Sequence, residues 1–338
     1  MILPEPTHVP LRGGPVVRWG ILAPGGIADA WTETLHRNTD QRVAAVASRT
    51  LARAEEFAAR HGVGRSFGSY DELVADPGVD VVYIAAPHSE HRRLALLAIG
   101  AGKHVLVEKP IGLSAAEARE IAVAARAAGV FAMEAMWSRF LPQTTVLARL
   151  LEDGALGDVL TVTADFGAVF DTDPQGRAYN PALGGGALLD VGIYPVWFAH
   201  LVLGTPSAVT ARGSLTATGV DAQAAVILDY GTPAQAVLTT SMLVSTPRRA
   251  AVSGTLAEVR LPRDFMGPGE LHLVRDDEVL ASMDDPNGFR WRDGLCYEAV
   301  AVATYIAEGR TESPLHSLDD TVAIMTVLDE ARRQVGAA

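Results

Sequence analysis

The chain has 338 residues, 49% hydrophobic and 20% charged, with 28 Lys plus Arg against 40 Asp plus Glu and a net charge of −12. That length suits two domains of roughly 150 residues, each with its own core, and excludes a small stapled scaffold and a disordered chain. The acidic balance, with no basic run able to track a phosphate backbone, argues against nucleic acid as a partner, and the single cysteine, Cys296, excludes an intramolecular disulfide or a cysteine-rich metal site.

Residues 1–15 contain four prolines and no signal-peptide core, and read as a flexible leader. No run approaches about 18 apolar residues uninterrupted by charge, so no membrane partner is expected, and the expected address is cytoplasmic. From Val16 onward, short β-branched runs at 16–22, 43–47, 79–86, 105–107 and 130–133 alternate with helical patterns at about 27–36, 51–61, 91–101 and 115–128. Ser114 with Glu117 three positions on forms a capping box before the last of these helices. The alternation predicts an α/β domain over 16–140, a doubly wound parallel sheet of the Rossmann type.

The second domain, 141–338, is expected to be α+β. Alternating strands at 159–170, 208–215, 222–228 and 236–243 imply an open, largely antiparallel sheet, interrupted by the helical insertion GGGALLDVGIYPVWFAHLVLG at 184–204. Helices at 295–307 and 318–335 close the chain. A sheet covered on one side only would bury its open face against another subunit, so a homodimer or higher homo-oligomer is expected.

The segment VVRWGILAPGGIA, residues 16–28, runs from a strand through a glycine turn into a helix, as a dinucleotide-binding fold requires. Gly25, Gly26 and Ile27 would offer backbone N–H groups to a pyrophosphate, although Ala23 stands where the first glycine of G-x-G-x-x-G/A belongs. The second strand ends in Ala47-Ser48-Arg49-Thr50, without the carboxylate that binds the ribose of NAD. Ser48, Arg49 and Arg53 suit a 2′-phosphate, so NADP is favoured over NAD.

Two segments carry chemistry. Lys109 stands in HVLVEKP (104–110) at the carboxyl end of a strand, where ligands bind in open α/β sheets, and Pro110 fixes the following φ and permits a cis Lys-Pro bond that would aim the lysine at the cleft. Asp190 and Tyr194, four residues apart in DVGIYP, share a face if the segment is helical; Pro195 instead predicts a helix starting near itself, with Tyr194 just outside. A tyrosine can take a proton near neutral pH only beside a cation, a role open to Lys109. No metal is expected, since no clustered ligands have zinc spacing, and His200 reads as a helix residue.

The glycine turn, HVLVEKP, MEAMWSRF (133–140) and 184–195 together resemble the glucose-fructose oxidoreductase / inositol dehydrogenase / MocA family over nearly the whole chain after Val16. The MEAMW string, and a tyrosine where many members carry histidine, look most like its dihydrodiol dehydrogenase and NADP-dependent xylose dehydrogenase branch. The resemblance implies that Lys109 binds nicotinamide ribose and substrate, that Tyr194 is the general acid/base and that Asp190 orients the substrate or its neighbours. It implies cofactor contacts from Glu108, Pro87, His88 and His91, although His88 replaces a common asparagine. Trp137 and Arg139 would lie near the nicotinamide, and Trp137 and Phe166 would line the substrate pocket. The implied activity is NADP-dependent hydride transfer to or from a sugar or cyclic diol. An inositol or nucleotide-linked sugar is an alternative substrate, and a non-catalytic NADP sensor an alternative of another class.

Overall fold

The computed structural model describes residues 2–337; Met1 and Ala338, the outer ends of the expected leader and second domain, lie outside the described residues. The first half builds β1 (Arg18–Leu22), α1 (Gly26–Asn38), β2 (Arg42–Ala47), α2 (Leu51–His61), β3 (Arg65–Phe67), α3 (Tyr70–Ala75), β4 (Val81–Ile84), α4 (His88–Gly100), β5 (His104–Glu108), α5 (Ala115–Ala128) and β6 (Ala132–Ala135). The six strands pair in parallel in the order β3-β2-β1-β4-β5-β6, and strand order reverses beside β1, so the turn after β1 opens at the switch point where such sheets bind ligands. Strands β1, β4 and β5 are buried on both faces, as their unbroken apolar runs require.

The second half continues with α6 (Pro142–Glu152), β7 (Val159–Gly167), α7 (Ile193–Leu203), β8 (Ala208–Leu215), β9 (Asp221–Asp229), β10 (Gln235–Ser241), β11 (Ala250–Gly254), β12 (Glu258–Leu261), β13 (Leu271–Arg275), β14 (Glu278–Met283), α8 (Leu295–Ala307) and α9 (Leu318–Val335). Strands β7 to β14 form one sheet in the order β14-β13-β12-β11-β7-β10-β9-β8, antiparallel except where β10 runs parallel to β7. Along β9 and β10 burial alternates residue by residue, so one face is core and the other carries the row Thr210, Ile227, Val237, Thr163 and Ala251.

The chain divides into two compact units, one of residues 9–140 and 292–322, the other of 2–8, 141–291 and 323–337. Residues 292–322, expected in the second domain, join the first: α8 packs on α1, Thr34 Oγ1 donates to Asp293 O at 2.9 Å, and Arg37 pairs with Asp293. The leader is tied down, correcting the expectation that 1–15 is loose. Thr7 N–H donates to Thr145 Oγ1, Arg12 bonds Asp40 and two backbone carbonyls, and Gln41 donates to Pro15 O. The apolar stretch Pro181–Leu203 has the length and hydropathy of a membrane span, but most of it is buried in the fold, as a core helix of a globular protein is.

Candidate active site

In the nucleotide turn, Ala23 adopts φ +62°, the left-handed conformation that explains why glycine is the usual residue there, and its N–H donates to Ala47 O. Gly25 caps α1 with an extended backbone and no side-chain cap. A Cβ on Gly26 would meet nothing within 4 Å, and one on Gly25 only Ala23 O at 4.0 Å, so the turn is open to an incoming group. The first helical bond runs from Asp29 N–H to Gly25 O, which leaves the N–H groups of Gly26, Ile27 and Ala28 with no carbonyl one turn back inside the helix. Open space, aligned donors and a helix N-terminus fit a pyrophosphate.

At the end of β2, Ser48 is buried with its N–H on Phe67 O, while Arg49 and Arg53 are exposed. Tyr70, which the sequence reading passed over, is half-buried; burial pushes its phenol pKa up, against the pull of Arg49, Arg93 and Arg53 and with Glu90 adding to the rise. The charges of three guanidinium groups, Arg49, Arg53 and Arg93, thus reach one phenol. Arg93 was missed because it belongs to α4, more than forty residues away in sequence from Arg49.

Lys109 follows β5, with a cis bond to Pro110. Its backbone N–H donates to Glu108 Oε2 at 3.1 Å, and Glu108 Oε1 accepts from Tyr83 Oη at 2.5 Å. Burial raises the Glu108 pKa, opposed by that phenol and by the Lys109 charge. His88 is buried at the start of α4, after Pro87, with its ring edge-on to His91 at 5.7 Å. His91, expected to face the cofactor, has no exposure, and both ring nitrogens are within hydrogen-bond distance of backbone carbonyls, Pro110 O at 2.7 Å and Ala86 O at 2.8 Å. It ties the loop after β4 to the turn after β5 and leaves no ring nitrogen for a nucleotide. Burial lowers its pKa against the pull of the two carbonyls, and the neutral ring donates to one of them at a time.

Trp137 and Arg139 lie in a 3₁₀ turn directly after β6, both buried. Arg139 Nε donates to Leu315 O at 2.8 Å, anchoring that turn to the segment after α8.

In the other unit, residues Leu188–Gly192 form a π-helical turn that leads into α7, so Tyr194 is inside the helix and not just outside it. Pro195 has no N–H for the carbonyl one turn back and its ring crowds that position, so the helix widens there instead of starting afresh. Asp190 and Tyr194 are both buried, and Phe166 at the end of β7 packs on the Tyr194 ring at 5.5 Å. Asp190 Oδ2 accepts from Arg177 at 2.9 Å, a partner absent from the sequence reading because it lies in an irregular loop. Asp221 Oδ2 accepts the Leu188 N–H at 2.6 Å, capping this helical segment from β9; a Cβ on Gly186, at φ +117°, would collide with it. Burial raises the Asp221 pKa against that bond.

Comparison with known proteins agrees with this arrangement. The GFO/IDH/MocA family, described as an oxidoreductase family with an NAD-binding Rossmann fold, matches residues 17–136, and its C-terminal domain matches 145–260. A trans-1,2-dihydrobenzene-1,2-diol dehydrogenase from Xenopus laevis is 39% identical over 326 residues, covering 94% of this chain and 98% of that protein. Among solved structures, an aldose-aldose oxidoreductase from Caulobacter crescentus complexed with glycerol aligns with a TM-score of 0.83 and 27% identity, over 94% of this chain and 97% of the other. A 3-ketoreductase from Actinomadura kijaniata in complex with NADP and TDP-benzene aligns with a TM-score of 0.81 and 26% identity, over 94% and 98%.

Proposed function

The chain belongs to the GFO/IDH/MocA oxidoreductase family, and on that premise we propose an NAD(P)-dependent dehydrogenase acting on a CH–OH group of a sugar or cyclic diol, with NADP preferred. The observation that carries the reading is the set of three segments, the open glycine turn at the switch point, Glu108-Lys109-Pro110 at a strand end, and the helix bearing Asp190 and Tyr194. A bound nicotinamide supplies the hydride acceptor or donor. Gly25, Gly26 and Ile27 hold the pyrophosphate through backbone N–H groups. Ser48, Arg49 and Arg53, joined by Tyr70 and Arg93, hold the 2′-phosphate, because guanidinium forks and hydroxyls are the donors such a group takes.

Tyr194 Oη takes the proton of the substrate hydroxyl as the carbon-bound hydrogen leaves, and returns it in the reverse direction. Lys109 contributes a cation of the kind that steadies a developing alkoxide. Asp190, held by Arg177, orients the substrate, and Phe166 and Trp137 present aromatic surface to its ring. Pro87 and His88 border the nicotinamide. Glu108 and His91 support the Lys109 turn from behind. The TDP-benzene complex of the Actinomadura relative favours a second substrate class, a nucleotide-linked sugar.

The row Thr210, Ile227, Val237 and Thr163 on the open sheet face is small or apolar, and we propose that a second copy covers it in a homodimer. The single cysteine fits a reducing, cytoplasmic location. The test is absorbance of reduced nicotinamide with NADP⁺ or NAD⁺ against aldoses, inositols, cyclic trans-diols and nucleotide-linked sugars, for the parent protein and Tyr194→Phe. Turnover with NADP⁺ that the variant loses is expected. A preference for NAD⁺ sinks the assignment of Ser48, Arg49 and Arg53, and unchanged turnover in Tyr194→Phe sinks the assigned proton carrier.

A further inference from the structure

Three successive backbone groups at the turn carrying Lys109 are each held by a buried ionisable side chain. Lys109 N–H donates to Glu108, Pro110 O meets His91 Nδ1 at 2.7 Å, and Ile111 N–H donates to Glu134 Oε1 at 2.8 Å. Glu134 lies on β6 directly opposite Val107 of β5, and its side chain has no exposure. Its other oxygen, Oε2, accepts from Thr321 Oγ1 at 3.2 Å and faces His316 Nε2 at 3.1 Å, with Thr321 and His316 also 3.1 Å apart. Both oxygens are therefore occupied, one by the turn after Lys109 and the other by a pair of side chains near the start of α9. A buried carboxylate costs stability unless its hydrogen bonds are complete, and it is weak evidence for stability even then. Two oxygens that link the Lys109 turn to a separate part of the unit give a more specific reason for it to be there.

We infer that Glu134, braced by Thr321 and His316, is a positioning residue that fixes Lys109 through the Ile111 amide. This rests on the reading of Lys109 as an active-site cation. A displacement of about 1 Å in a reacting group can cost about a hundredfold in rate without any change in binding surface. Glutamine keeps an acceptor for Ile111 N–H, and the Thr321 hydroxyl and the His316 tautomer can turn to receive its amide. Leucine keeps the volume and none of the bonds.

The experiment measures kcat and KM for the parent, Glu134→Leu, Glu134→Gln, Lys109→Ala and the double variant Lys109→Ala/Glu134→Leu, with circular dichroism as a check of folding. Glu134→Leu is expected to lower kcat at least tenfold with the cofactor KM within about twofold, and Glu134→Gln to recover it to within about threefold. The leucine substitution should add less than twofold to the loss in Lys109→Ala, because nothing remains to be positioned. Lys109→Arg replaces Lys109→Ala if turnover of the latter is below detection. Parent-like kcat in Glu134→Leu, or a loss that multiplies fully with that of Lys109→Ala, overturns the inference alone. Parent-like turnover in Lys109→Ala overturns the functional reading of Lys109, and this inference with it. If Glu134→Leu does not fold, Thr321→Val, which removes one donor from Oε2, runs through the same cycle, with a kcat loss absorbed by Lys109→Ala expected and an independent one overturning the assignment.

Discussion

Glu298 offers a quantitative test of the electrostatics of the nucleotide-binding unit. It sits in α8 with no exposure, neither carboxyl oxygen has a hydrogen-bond partner, and the Trp31 indole N–H, though close by, bonds to neither. Burial first, and then the charge of Glu108, push its pKa well above the usual carboxylate value of 4.5, against the pull of the Trp31 indole N–H. The folded state thus keeps a proton that the unfolded state releases. The group's contribution is full below 4.5 and is lost as the pH rises toward the folded-state pKa, at about 1.4 kcal/mol per pH unit. An orphaned buried polar group costs a further 1–3 kcal/mol, roughly. Glu298→Met removes both penalties at nearly constant volume and is expected to raise stability by about 2 kcal/mol or more at pH 8. The gain should shrink toward pH 5, and Glu298→Gln should remove the pH-dependent part only. Urea unfolding followed by tryptophan fluorescence at pH 5 and pH 8 measures this. A gain of equal size at the two pH values, or a loss at pH 8, would refute the reasoning.

Other perturbations follow from the same geometry. His36 Nε2 accepts the Val43 N–H at 3.0 Å, and burial, with Arg42 and His61 nearby, takes its pKa down to about 4, so its contribution is full above the unfolded value of 6.5 and fades as the pH falls toward 4. Its half-exposed position screens the effect to about 1–2 kcal/mol, and His36→Gln should flatten the acid limb of the unfolding midpoint between pH 6.5 and 4.5; an unchanged limb counts against it. Ala23→Gly relieves the left-handed alanine and is expected to stabilise by about 0.5–1 kcal/mol, read as a higher thermal midpoint. Arg177→Met frees the buried Asp190 carboxylate from its partner, and kcat/KM should fall about tenfold with cofactor affinity unchanged, with Arg177→Lys intermediate in steady-state kinetics.

Where local signals were strong, the sequence located elements to the residue. α2, α5, α8 and α9 end where the 3.6-residue pattern does, and Ser114 accepts from the Glu117 N–H as a capping box predicts. Short elements escaped: β3 has three residues and α3 six, too few for a period to register, and β11 to β14 are short strands broken by turns. The strand expected at 130–133 forms at Ala132–Ala135 because the end of α5 takes Val130, whose N–H returns to Ala125 O. Within the site, Lys109, Asp190 and Tyr194 were legible because motifs announce them. Glu134, Arg177 and Asp221 were not, since their roles come from partners 13 to 187 residues away.

Glu134 and Glu298 are carboxyls of the same unit without exposure, and burial alone would treat them alike. Their surroundings do not. Glu134 receives Ile111 N–H and Thr321 O–H and faces His316, so removing it strands buried donors, each at about 1–3 kcal/mol. Glu298 has only the Trp31 indole N–H beside it, which bonds to neither oxygen, so removing it strands no donor that is now satisfied. Glu134→Leu should therefore destabilise the unit and Glu298→Met stabilise it, although both delete a buried carboxyl and insert an apolar side chain. If Glu134→Leu raised stability as Glu298→Met does, the cost of burying the carboxyl would outweigh the hydrogen bonds around it, and the account of the Lys109 turn as held by satisfied donors would lose its physical basis.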